Sequence, residues 1–160
     1  MKHGIELTVN GRIFRKSVSS STPLAELLRE LGLLSVHTGC DLGQCGTCTV
    51  LIDGVSVKSC LVLGVQANGA HITTVEGLAR PDGSLHPLQE AFSRHFAIQC
   101  GFCTSGMLMA AKGLLDQHPR PSEAEIREWL AGNLCRCTGY VNIVRAIQDA
   151  AEVIANEDGT

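Results

Sequence analysis

Eight cysteines restrict this chain more than any other feature of its sequence. They fall into two sets: Cys40, Cys45, Cys48 and Cys60, then Cys100, Cys103, Cys135 and Cys137. The chain begins MKHGIELTVNG, with neither the apolar stretch of a secretory signal nor a twin arginine. No run of about 18 apolar residues exists, so no membrane span is expected. We expect a cytoplasmic protein, whose thiols stay reduced rather than pairing as disulfides. Metal binding is then the leading use for so many sulfurs.

The first set reads C-x4-C-x2-C, with eleven residues before the fourth cysteine. That opening triplet is the plant-type 2Fe–2S spacing. Gly39, Gly43 and Gly46 lie among the sulfurs. Glycine lets backbone approach sulfur closely, and the N–H groups of such a loop offset the negative charge of four thiolates. Structural zinc favours two short cysteine pairs separated by a longer stretch, a pattern this set fits poorly. The second set joins C-x2-C to C-x-C. By spacing alone it leaves an iron–sulfur site, zinc and a redox dithiol open. Two clusters in one small chain make sense as neighbouring stops for an electron.

The intervening sequence divides in two. Ile5, Leu7 and Val9 alternate with polar residues, as a half-buried strand requires, and Asn10-Gly11 predicts a hairpin into residues 12–18. Thr22 reads as an N-cap with Pro23 at the first helical position, before the apolar face of Leu24, Leu27, Leu28 and Leu31; Gly32 ends that helix. Residues 49–52 and 55–59 flank Asp53-Gly54 as a second hairpin, and 71–75 supply a fifth strand. Beyond a Gly/Pro-containing linker the pattern turns helical, with segments at 87–96, 104–117, after the Ser122–Glu125 capping box, and 142–155. The expected fold is α+β: a small mixed sheet packed on a helix over 1–76, a linker over 77–86, and a helical region over 87–160 in which four helices suggest a bundle. Each cysteine pair of the second set precedes a helix start, where thiolates gain from unpaired N–H groups.

A net charge of −3, with 13 basic against 16 acidic residues and no basic run, excludes a nucleic-acid surface. The six histidines show no paired ligand spacing and read as surface or structural residues. Met107 and Met109 read as core filler. Arg136, between two cysteines, either points to solvent or raises a cluster potential. No Ser-His-Asp set, phosphate loop or acid pair is present, so the chain carries no bond chemistry of its own.

The segments GCDLGQCGTCTV, SVKSC, QCGFCTSGM and NLCRCTGY resemble the small iron–sulfur subunit of the molybdenum hydroxylases, the xanthine oxidase family. The aspartate after Cys40 and the segment VQANG are most similar to the carbon monoxide dehydrogenase small subunit and its relatives. The resemblance spans about Ile5 to Ala151. It implies an N-terminal β-grasp, plant-ferredoxin-like domain followed by a C-terminal four-helix bundle, each with one 2Fe–2S cluster on the four cysteines of its set. It implies a large molybdopterin-binding subunit beside the bundle cluster, an FAD-binding medium subunit beside the other, and a dimer of heterotrimers. By the same match Gln99 contacts the molybdopterin cofactor, and Cys137, besides binding iron, lies against the pterin. Electrons would pass from molybdenum through both clusters to FAD. Two positions depart from the family: Ser105 stands where proline is usual, and Thr47 where alanine is frequent. A hydroxyl at 47 is expected to bond cluster sulfur or backbone. The alternatives are a stand-alone ferredoxin-type carrier and a zinc-stabilised interaction module.

Overall fold

The computed structural model describes residues 1–157; the last three residues of the segment expected to run over 87–160 lie outside the described residues. Two antiparallel hairpins form first: β1 (Lys2–Val9) with β2 (Arg12–Ser19), and β3 (Thr49–Ile52) with β4 (Val55–Lys58). Both turn on residues with positive φ, Asn10-Gly11 and Asp53-Gly54, the backbone that matches the twist of the flanking strands. The strand β5 (His71–Thr73) joins them, parallel to β1 and antiparallel to β3, giving a five-stranded mixed sheet in the order β2-β1-β5-β3-β4.

Against one face lies α1 (Leu24–Glu30), which buries Leu24, Leu27 and Leu28 on Ile5, Leu7, Val9, Val50 and Ile72. Its start corrects the sequence reading. Pro23, not Thr22, is the N-cap, and no side chain caps the helix. Pro23 is held in extended form by an antiparallel bridge to Leu63, and the carbonyl of Thr22 accepts from Gly64 N at 2.8 Å. A strand-like contact thus outweighs the local capping preference.

The strand expected over 71–75 stops at Thr73 and gives way to a short 3-10 turn, Val75–Gly77. The reason is polar. Thr74, fully buried, donates its N–H to Asn10 Oδ1 and accepts from Asn10 Nδ2, both at 2.9 Å. Its hydroxyl donates to Glu76, whose carboxylate also receives Ser35 N at 3.2 Å. Burial alone would raise the Glu76 pKa, but these hydrogen bonds outweigh it and hold it below the ordinary carboxylate value.

Four helices follow: α2 (Pro87–Arg94), α3 (Thr104–Gln117), α4 (Glu123–Trp129) and α5 (Val141–Glu157). Ser122 and Glu125 form the expected capping box. The helices share a second apolar cluster that includes the fully buried Leu88, Phe92, Met107, Ile126 and Ile143; each such side chain contributes about 1.5–3 kcal/mol. Met107 and Met109 are core residues. Leu78, in the stretch read as linker, is buried in this cluster, as is Leu51 from β3. The helix α3 packs on β3 and β4, so sheet and helices adjoin.

The end of α2 is tied to α5 through Asp149, which accepts from Arg94 and from His95 Nε2 at 3.0 Å. The Arg94 hydrogen bond is the main reason its pKa lies below the ordinary value, with His95 assisting. A depressed carboxyl contributes stability above its unfolded pKa and loses it as pH falls through the folded one. Asp149→Asn is therefore expected to lower the thermal midpoint at neutral pH, by roughly 2–4 °C or less for so open a pair. The difference should vanish in strong acid, as read by thermal unfolding across pH.

Candidate metal centres

The loop between α1 and β3 carries the first three sulfurs. Asp41, Gly43 and Gly46 all have positive φ, which turns successive N–H groups inward as an anion-binding nest. Three of them reach Cys40 Sγ: Leu42 N at 3.4 Å, Gln44 N at 3.3 Å and Cys45 N at 3.3 Å. These bonds, that from Cys45 foremost, lower the Cys40 pKa to about 7. The loop is also tight. A Cβ on Gly46 would lie 2.5 Å from the backbone carbonyl oxygen of Gly132, so glycine is required there both by φ and by space. Cys60, from the short turn after β4, faces Cys48 and Cys40 across the loop. Burial first, then Cys48, pushes its pKa up to about 11. The sulfurs thus lie as two neighbouring pairs, Cys40 with Cys45 and Cys48 with Cys60. A surface cavity of about 670 Å³ opens beside them, lined by Pro23, Arg29, Leu34, Thr38, Asp41 and Cys60 among others.

The second set converges from two helix approaches. Cys103 is the N-cap of α3, and Cys135 and Cys137 lie in the loop before α5. Cys100 Sγ and Cys137 Sγ are 3.6 Å apart, both on exposed residues. Cys103 interacts with Cys135 on the inner side, and burial there pushes its pKa up to about 12. Burial also acts to raise the Cys135 pKa, but Thr138, whose hydroxyl donates to its Sγ at 3.1 Å, brings it below the ordinary thiol value. Tyr140, at positive φ, closes this loop: its hydroxyl receives Cys135 N at 2.8 Å and donates to Asn133 O at 3.2 Å. The outer pair and inner pair repeat the arrangement of the first set.

This donor chemistry fits a 2Fe–2S cluster in each place. Four thiols in two pairs suit two irons, and amide and hydroxyl donors aimed at sulfur suit a negatively charged cluster. Among the described residues, no three His, Cys, Asp or Glu side chains gather around a single-ion position.

The two loops touch. Leu134 N donates to the carbonyl of Cys45 at 2.8 Å, which puts one backbone hydrogen bond between a residue of the first set and the neighbour of Cys135. Asn133, buried at 6% exposure, sends its side-chain N–H groups to Gly46 O at 3.0 Å and to Thr49 Oγ1 and Gly106 O, both at 3.2 Å. The His37 ring stacks on Phe102, centroids 4.8 Å apart, and its Nδ1 donates to Phe102 O at 2.8 Å.

The two hydroxyl residues singled out in the sequence, Ser105 and Thr47, both make contacts here. Ser105 donates to Ser35 O at 2.6 Å, and Thr47 donates to His37 O at 3.1 Å while lying 3.2 Å from Cys45 Sγ. Gln99 is exposed one residue before Cys100, and Arg136 is exposed. His37 is one of the histidines read as surface or structural residues, and its role here is structural; no sequence signal singles out Asn133 or Phe102. Their partners are 27 to 87 residues away along the chain, so no local pattern marks them.

Fold and site define a carrier of two iron–sulfur domains. A family described as "2Fe-2S iron-sulfur cluster binding domain" matches residues 7–74, and one described as "2Fe-2S binding domain" matches 74–148. The xanthine dehydrogenase iron-sulfur-binding subunit of Escherichia coli O157:H7 is 51% identical over 148 residues, 91% of this chain and 92% of that one. Among solved structures, quinoline 2-oxidoreductase from Pseudomonas putida 86 superposes with a TM-score of 0.92 at 48% identity, covering 99% of this chain and 98% of that chain. Aldehyde oxidoreductase from Desulfovibrio gigas gives 0.91 at 44% identity, covering 97% of this chain but 17% of that one. This chain belongs to the iron–sulfur subunits of the molybdenum hydroxylases, the xanthine oxidase family, and is part of an oxidoreductase.

Among the described residues no helix is long and apolar enough to cross a membrane.

Proposed function

We propose that Cys40, Cys45, Cys48 and Cys60 hold one 2Fe–2S cluster, that Cys100, Cys103, Cys135 and Cys137 hold a second, and that the chain conducts electrons from a molybdopterin-binding large subunit towards an FAD-binding medium subunit. The two clusters belong to the two halves expected from the sequence, a ferredoxin-like β-grasp over 1–76 and a four-helix bundle over 87–160. When bound, each cluster takes up and releases one electron at a time. The residues of this chain do the rest. The N–H groups of Leu42, Gln44 and Cys45 and the hydroxyl of Thr138 steady the sulfurs and favour their charge. Asn133, Ser105 and His37 hold the two loops in one relative position.

The observation that carries the reading is the direct contact between those loops, Leu134 N to Cys45 O at 2.8 Å. It supports a short through-bond route between neighbouring centres, which a module built around isolated zinc ions would not need. Exposure of Cys100, Cys137 and Gln99 supports the large subunit as the neighbour of the second centre, with Gln99 and Cys137 against the pterin. The cavity beside Cys60 supports access to the first centre from the flavin side. Eight free thiols accord with a cytoplasmic location, and a dimer of heterotrimers completes the reading.

Quantitative EPR of the anaerobically reduced protein tests it. About two unpaired spins per chain, in two distinguishable signals, are expected. Metal-replete protein with stoichiometric zinc and no such signals would overturn it.

A further inference from the structure

The helix α2 ends in a Schellman motif. Phe96 N donates to Ser93 O at 3.2 Å and Ala97 N to Phe92 O at 2.9 Å, while the buried Ala97 and Phe92 supply the accompanying apolar contact. The motif requires left-handed backbone at the residue after the cap, the position where glycine is usual. Here that residue is phenylalanine, at φ 54, with 79% of its surface exposed. The helix end gains nothing from the ring: the motif uses only backbone, and a Cβ there is strained. A bulky aromatic held in an unfavourable conformation and turned to solvent points to a gain outside the isolated chain.

Its surroundings say where. Phe96 O accepts from Asn142 Nδ2 at 3.4 Å, which fixes the turn against the start of α5. Ile98 and Val141, 42% and 46% exposed, are close in sequence to Cys100 and Cys137, the outward sulfur pair. Phe96 thus lies four residues before Cys100 and, through Asn142, against the start of the helix that follows Cys137, so it adjoins the outward sulfur pair. The aldehyde oxidoreductase chain, of which this fold makes up 17%, carries most of its mass beyond the equivalent part. Buried aromatic anchors amid near-neutral contacts dominate protein interfaces.

Resting on the reading above, we infer that Phe96 is the aromatic anchor by which this chain seats on the molybdopterin-binding subunit, its ring entering an apolar pocket of that partner beside the second centre.

The test compares wild type with Phe96→Gly and Phe96→Asn, both residues that accept left-handed backbone. Each is read in the purified complex by dissociation on dilution, and as the full chain by thermal unfolding and EPR. The expected result separates the two readouts. The variants unfold at the wild-type temperature or higher and keep both EPR signals, yet bind the large subunit roughly 30-fold more weakly. Unchanged affinity in both variants would overturn the inference and leave the electron-transfer reading standing. A variant that unfolds earlier or loses a cluster would show Phe96 to be a structural residue and would equally overturn it. A wild-type chain that forms no complex with a molybdopterin-binding subunit would overturn both.

Discussion

Cys135→Ser is expected to halve the iron content, from about four to about two per chain, and to remove one of two reduced-state EPR signals. Cys135 is the most supported sulfur of the second set. Thr138 donates to its Sγ, Tyr140 accepts its N–H, and the residue packs against the helical core. Serine keeps the backbone contacts but offers iron a hard, weakly acidic oxygen in place of a thiolate. The first set shares no sulfur with the second, so its signal should survive. Turnover with an electron acceptor should fall to background, because on the proposed route electrons enter this chain at the lost centre. Retained turnover with only the first signal present would contradict the assignment of the second set.

Gly106→Ala is expected to destabilise the fold although it touches no cysteine. A Cβ at Gly106 would lie 2.2 Å from Gly46 O and 2.9 Å from Thr47 Cα. Both are backbone atoms of the first cysteine loop, so neither can rotate away. The helix α3 must then shift off the loop, stretching the Asn133 bonds to Gly46 and Gly106. Overpacking of this kind costs about 1–3 kcal/mol, roughly 3–10 °C in unfolding midpoint. Gly113→Ala is the control. There the nearest atom is Ser56 Oγ at 2.0 Å, a hydroxyl able to rotate at the cost of its 3.4 Å bond to Met109 O, and the remaining close atoms, Ser56 Cβ at 3.2 Å and Leu51 Cδ2 at 3.3 Å, need give only a few tenths of an ångström. Its loss should be clearly smaller. Equal losses in the two variants would mean that the loop contact is not special. EPR on the Gly106→Ala protein should also show altered coupling between the two centres, since the loops would have moved apart.

Much of this was legible in one dimension because the determining forces are local. The turns at Asn10-Gly11 and Asp53-Gly54 depend on residues that accept positive φ, and the chain shows them directly. The capping box at Ser122 and the helix over 104–117 arise from contacts within a few residues. The cysteine sets were readable because a cluster needs thiolates at spacings a short loop can span. The start of α1 was misread because Pro23 answers to Leu63, forty residues on, rather than to its neighbours. The fifth strand was drawn two residues too long because Thr74 turns aside to meet Asn10 and Glu76.

What the sequence alone determined is the donor chemistry: sulfur number and spacing, glycines among the sulfurs, and two halves of different periodicity. Only the tertiary structure decided how the halves meet. Asn133 reaching Gly46, Ser105 reaching Ser35, His37 stacked on Phe102 and Leu134 bound to Cys45 all join residues that are remote along the chain. Such contacts follow from how sheet and helices pack, not from spacing or propensity. They bring the two cysteine loops into direct contact, and no single segment of the chain encodes that contact.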